Sequence, residues 1–171
     1  MSYITHAQLN ERPGARELAQ VATAQHERLV PYDLMEAALT GGDTSSWSAE
    51  EIARAQDALQ RIDDAVTDAV AVIDGYLAKR GYLPLDPVPP MVSVWCRAIA
   101  RYYLHQHLLG GEEKHPIIRD YKDALRFLQL TADGRFSLGA DDTVENNPNA
   151  VEIQIDSDPK VFSRDQLKAF R

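Results

Sequence analysis

The chain has 171 residues, of which 44% are hydrophobic and 26% charged, and its formal net charge is -8 with a pI of about 5.0. These values are typical of one globular core with an appendage. The acidic balance argues against a protein that grips nucleic acid through its phosphates. The single cysteine, Cys96, excludes a disulfide framework and a thiolate metal cage. No apolar run is long enough to span a bilayer and no secretory signal is evident, so we expect cytoplasmic synthesis and no membrane partner.

Three short helices are predicted before residue 41. Thr5 and Gln8 have the spacing of a capping box, which predicts a helix that ends before Pro13. A second apolar stretch covers residues 18–22. Pro31 then opens a helix over residues 32–39, which the following pair of glycines stops.

A long amphipathic helix is predicted from Ala49 to Arg80. Ser48 and Glu51 form a capping box at its start, and Gly81 suits the left-handed residue at its end. At 1.5 Å per residue this helix would be about 48 Å long. Its apolar residues recur at steps of three and four, as expected of one buried stripe: Ile52, Ala55, Leu59, Ile62, Val66, Ala69, Ile73 and Tyr76.

A proline-rich stretch at residues 83–90 prevents the helix from continuing and predicts a reversal of direction. The next segment, from residue 91 to 109, has apolar residues on nearly every side and is predicted to be a core helix buried on several faces, through Val92, Val94, Trp95, Cys96, Ala98, Ile99, Tyr102, Tyr103, Leu104 and Leu108. Asp74 lies near this core, and we expect it to form an ion pair with Arg97 or Arg101.

The last clear helix begins at Pro116 and ends near Gly134, and residues 135–139 are expected to form a turn or one short strand. The sequence thus predicts an all-α protein, a small helical bundle around one long helix and a buried core helix. We assign residues 1–139 to this helical domain and residues 140–171 to an extended tail.

The tail changes character along its length. Residues 140–158 contain six acidic and no basic side chains, which disfavours a packed helix. Within them Val151, Ile153 and Ile155 alternate with polar residues, a pattern that predicts one exposed strand. A strand without a partner invites pairing with another chain. The last eleven residues return to aromatic and basic side chains, as in a terminus that docks onto a partner.

Motifs for catalysis or metal binding are not evident. His105 and His107 lie two residues apart, whereas two metal ligands on a helix need a spacing of three or four. The sequence has no glycine-rich phosphate loop, no nucleophile elbow and no paired cysteine motif. We therefore expect no enzyme activity, no cofactor and no metal.

Four segments in order resemble the Mu-like phage head-to-tail connector family. They are Ile73 to Ala78 with the following prolines, Ala98 to Leu104, Tyr121 to Leu128 with the glycine turn after it, and Val161 to Asp165. Together they span residues 73–170, while the first 50 residues are similar only loosely. The resemblance implies a virion adaptor at the head-tail junction, assembled in the host cytoplasm.

By this resemblance the chain would form a homo-oligomeric ring, commonly of twelve copies, between the portal protein and the next neck or tail-completion protein. DNA would pass through the channel without specific binding, because an acidic wall does not hold phosphates. We expect the tail to be the docking arm, with Val151, Ile153 and Ile155 adding a strand to a neighbour. Apolar anchors and an orienting charge pair would complete it: Val161, Phe162, Leu167 and Phe170, with Arg164 and Asp165.

Two other classes of protein remain open. A small all-α regulator that binds DNA through a helix-turn-helix would need a clustered basic recognition helix, which the sequence does not supply. An enzyme of unknown type would need a polar cluster within the core.

Overall fold

The computed structural model describes residues 2–110 and 115–139. This part of the chain is all-α, as predicted, and its helices are α1 (His6–Leu9), α2 (Ala15–Ala22), α3 (Tyr32–Thr40), α4 (Ala49–Leu77), α5 (Pro90–His105) and α6 (Pro116–Ala132). A kinked π-helical turn, Asn10–Gly14, joins α1 to α2, and a 3-10 turn, Ala78–Arg80, extends α4. The predicted tail domain and its strand lie outside the described residues.

Helix α4 begins at the predicted Ala49, and its 3-10 extension ends at the predicted Arg80. The Ser48 hydroxyl accepts a hydrogen bond from the backbone N–H of Glu51, and the Glu51 carboxylate accepts one from the backbone N–H of Ser48. After the 3-10 turn, Gly81 adopts the left-handed conformation with φ 72°. The capping box of Thr5 and Gln8 is confirmed in the same way. These helix ends follow from local residue types.

Helix α4 is the spine of the bundle, since α2, α3, α5 and α6 all pack on it. The predicted stripe is largely buried, although Ile52, Leu59 and Tyr76 are only half-buried. Three further residues of α4 are buried although the predicted stripe did not include them, namely Ala58, Ala65 and Leu77. The buried residues of α4 are Ala55, Ala58, Ile62, Ala65, Val66, Ala69, Ile73 and Leu77. Several small side chains on this face let neighbouring helices approach closely.

Helix α5 differs from the prediction in length and in burial. It ends at His105, and residues 106–108 form a turn. Val94 and Leu108, both predicted to be buried, are 49% and 58% exposed. The reason is that α4, α6 and α2 cover only part of α5. One face of this apolar helix therefore remains open.

The expected ion pair between Asp74 and Arg97 or Arg101 is wrong. The hydroxyl of the buried Tyr3 donates a hydrogen bond to Asp74 instead, and Arg101 pairs with Glu17 on α2. Burial, reinforced by the Asp74 carboxylate, raises the pKa of the Tyr3 phenol well above its ordinary value. The N-terminal segment thus occupies the place that the sequence suggested for an arginine.

The end of α6 packs on α5 and on the end of α4. The Phe127 ring stacks on Trp95 with centroids 6.4 Å apart, and Phe136 lies 5.3 Å from Phe127. Gly134 follows with φ 73°, and a Cβ built there would lie 1.8 Å from Nη1 of Arg80. Residues 135–139 form bends rather than a strand, so of the two expected structures the turn is confirmed.

Candidate interaction site

A cleft of about 420 Å³ opens between α5, the start of α6 and the turn that precedes α2. Two of its arginines, Arg97 and Arg101, lie four residues apart and so share one face of α5. Arg12 reaches the cleft from the kinked turn, where its backbone is extended with φ -156°. Glu17 from α2 and Asp120 from α6 supply carboxylates. We call this surface the arginine cleft.

The arginine cleft also has an apolar lining. Val94 and Ala98 lie on the same face of α5 as the two arginines, at a spacing of four. Ile117, in the first turn of α6, closes the opposite side and is itself 5% exposed. The cleft therefore offers both guanidinium groups and apolar contact area to a bound partner.

One of the arginines is neutralised by its neighbour. Arg101 Nε lies 2.5 Å from Glu17 Oε1, and Arg101 Nη2 lies 2.8 Å from Glu17 Oε2, so the pair is bidentate. The Glu17 carboxylate raises the pKa of Arg101. His105 Nε2 lies 3.4 Å from the same carboxylate, but burial lowers the pKa of His105 and so disfavours its charged form.

The other two arginines retain binding capacity. Arg97 Nε is buried and has no hydrogen-bond partner. Neither Arg97 nor Arg12 takes part in an ion pair with another described residue. Three guanidinium groups face two carboxylates in the cleft. The surface is thus locally positive on a chain whose net charge is -8, and it can bind carboxylates or phosphates through bidentate hydrogen bonds.

A second and wider cleft has the opposite charge. It measures about 640 Å³ and lies beside the start of α4. Four carboxylates line it against two guanidinium groups: Glu27, Glu50, Glu51 and Asp57, with Arg28 and Arg54. We call it the acidic cleft. An anionic partner would be repelled there.

Metal binding and thiol reactivity can both be examined in the described residues. They contain no group of three or more His, Cys, Asp or Glu side chains that could hold a metal ion. Cys96 is buried, and burial raises the pKa of its thiol to about 12, which leaves almost no thiolate at neutral pH. In the described part of the chain, no helix is both long and apolar enough to cross a membrane.

The predicted docking residues all lie outside the described residues. They are Val151, Ile153, Ile155, Val161, Phe162, Arg164, Asp165, Leu167 and Phe170. Sequence reasoning missed the arginine cleft, because Arg97 and Arg101 were considered only as partners of Asp74. The available signal was the shared face of Val94, Arg97, Ala98 and Arg101, which combines apolar and basic side chains.

The fold and the site together define an all-α protein whose surface carries a locally positive cleft with an apolar lining. A family model described as Bacteriophage Mu, Gp36 matches residues 3–157. The chain belongs to this Mu-like phage family.

Two relatives support the assignment. The chain is 36% identical over 105 residues to "Gene product J" of Escherichia phage Mu, a match that covers 61% of this chain and 72% of the relative. It is 35% identical over 113 residues to "Mu-like prophage FluMu protein gp36" of Haemophilus influenzae, a match that covers 64% of this chain and 75% of the relative. Both names place these relatives in Mu-like phages.

Proposed function

We propose that this chain is a structural virion protein, the head-to-tail connector subunit of a Mu-like phage. Copies of it form a non-catalytic ring that joins the portal protein to the next neck or tail-completion protein. The family match carries this proposal, because it extends past the helical domain to residue 157. It therefore includes the acidic stretch and the predicted strand at Val151 to Ile155.

The charge of the chain supports passage of DNA through such a ring. The net charge is -8, and Asp57, Asp64 and Asp68 are exposed along α4. Attraction to phosphates would accumulate along a duplex, whereas a negative wall lets the duplex slide. Twelve copies is the number common in the family that the chain resembles.

Assembly of particles tests the proposal. The triple variant Phe162→Ala/Leu167→Ala/Phe170→Ala removes three apolar anchors, each worth roughly 1.5 to 3 kcal/mol when buried. We expect it to be absent from purified particles, which would also lack tails, while its far-UV circular dichroism keeps the signal of the six described helices, which end at Ala132.

The matched control is Lys160→Ala/Lys168→Ala, which changes the same segment but keeps the anchors. This variant should enter particles at the level of the parent chain. Normal incorporation of the triple variant would refute the docking role of these three residues, and tailed particles in the absence of this protein would refute the connector role. A gel shift of duplex DNA at low salt would favour the DNA-binding regulator instead.

A further inference from the structure

We infer that the arginine cleft binds residues 151–158 of a second copy of this chain. The inference rests on the proposed ring, because it identifies the contact that holds neighbouring copies together. In the cleft, Arg12 and Arg97 take part in none of the ion pairs of the described residues, and the Val94 side chain is 49% exposed. A ligand that supplies both carboxylates and apolar side chains would complement both features of the cleft.

The segment 151–158 has this composition. Its sequence is Val-Glu-Ile-Gln-Ile-Asp-Ser-Asp, with three apolar residues in alternation and three carboxylates, and residues 140–158 contain no basic side chain. In an extended chain alternate side chains point to opposite sides. One side can contact Val94 while Glu152, on the other, reaches a guanidinium group at the rim.

A sheet edge is a less suitable binding site for this segment than the arginine cleft. The described residues contain no strand, so within residues 2–110 and 115–139 there is no edge to which a strand could be added. The acidic cleft is the larger concave surface, but its four carboxylates would repel the segment. The arginine cleft alone, of these two, matches the charge of the segment.

The location of the cleft favours a second copy over the chain's own tail. Ile117 and Asp120 of the cleft lie in the first turns of α6, whereas the tail leaves after the other end of this 17-residue helix. The two ends are about 25 Å apart at 1.5 Å per residue. A chain's own tail would have to double back along the whole helix to reach its own cleft.

Symmetry gives a second reason. A cleft and a tail are different patches, so their contact between identical copies is heterologous, and a heterologous contact closes into a ring when its rotation permits. Residues 140–150 can span up to about 36 Å when extended. An arm of this length could also cover the roughly 25 Å to its own cleft, so a crosslink between two separate chains is the observation that decides for the second copy.

Disulfide trapping in the purified full-length protein tests the inference. A tagged Val94→Cys chain is mixed with an untagged Ile153→Cys chain and oxidised gently. The native Cys96 is buried and its thiol has a raised pKa, so it does not compete. We expect a disulfide between the two chains, because binding of the segment in the cleft would bring the two Cα atoms within the roughly 4.4 to 6.8 Å that the bond needs.

Two matched controls define specificity. Ala53→Cys places an exposed thiol in the acidic cleft and should give at most about a tenth of the Val94→Cys yield with the same partner, because like charges separate the reactants. Arg97→Glu in the Val94→Cys chain should lower the yield about fivefold. The same change at the exposed Arg126 of α6, outside the cleft, should leave it unchanged.

The doubly substituted chain Val94→Cys/Ile153→Cys distinguishes the source of the segment. Crosslinked multimers support the inference, whereas a monomer with an internal disulfide overturns it and assigns the cleft to the chain's own tail. Equal yields from Val94→Cys and Ala53→Cys, or no crosslink, also overturn it. These results are independent of particle assembly, so a connector that enters particles but does not crosslink would lose this inference and keep the proposed function.

Discussion

Single residues connect the N-terminal segment to the spine of the bundle. Tyr3 is buried, and its hydroxyl donates to Asp74, which lies 71 positions along the chain near the end of α4. His6 Nε2 lies 2.5 Å from Asp63 Oδ1, about three turns earlier on the same helix. These side-chain contacts fix α1 on α4 although α1 has only four residues. The start of the chain therefore contributes to stability.

Tyr3→Phe is expected to destabilise the fold by about 2 kcal/mol, because a partly buried carboxylate loses a hydrogen-bond donor. The midpoint of urea unfolding measures the change. Tyr32→Phe is the matched control, since Tyr32 is 36% exposed and its hydroxyl only accepts a 3.4 Å hydrogen bond from Gln20. The control should change stability by less than about 0.5 kcal/mol.

The contribution of Tyr3 to the free energy of unfolding should depend on pH. The raised pKa of Tyr3 means that the folded state holds this proton more tightly than the unfolded state does. The associated stability is fully present below the unfolded pKa of about 10 and falls as the pH rises above it. Tyr3→Phe should flatten this alkaline decline, and an unchanged slope would contradict the role assigned to Tyr3.

At the scale of elements, local signals determined what could be predicted. Ser48, Pro116 and Gly81 act on their own neighbours, so the ends of α4 and the start of α6 followed from the sequence. Ion-pair partners that are distant in sequence could not be predicted in this way. Arg101 has several carboxylates within possible reach, and only the packing of α2 brings Glu17 to it. The exposure of Val94 was missed for the same reason, since it depends on how much of α5 its neighbours cover.

Two glycines in similar sequence settings should respond oppositely to alanine. Gly134 has φ 73°, and its Cβ would displace the Arg80 side chain, so Gly134→Ala should cost about 1 to 2 kcal/mol. Gly75 lies inside α4 with no atom within 4 Å of a built Cβ, so Gly75→Ala should stabilise by roughly 0.5 to 1 kcal/mol. Thermal unfolding of both variants measures the difference, and a shift of the same sign in both would contradict this assignment.

At the scale of the whole molecule, the Glu17–Arg101 ion pair has two consequences. It joins α2 to α5, and so links the N-terminal helices to the spine and its partners. It also cancels one positive charge in the arginine cleft. Stability of the fold and attraction for an acidic partner therefore oppose each other at this pair.

Glu17→Gln should separate these two effects. Loss of the bidentate pair, whose side chains are 26% and 32% exposed, should lower the free energy of unfolding by about 1 kcal/mol. The cleft then gains one unit of positive charge, so trapping between Val94→Cys and Ile153→Cys should rise about twofold at low salt and return to the parental yield at high salt. The matched control, Asp57→Asn, removes the exposed Arg61 pair on α4 and should change neither stability by more than about 0.5 kcal/mol nor the trapping yield. A fall in trapping that accompanies the loss of stability would mean that the ion pair shapes the cleft rather than restraining its charge.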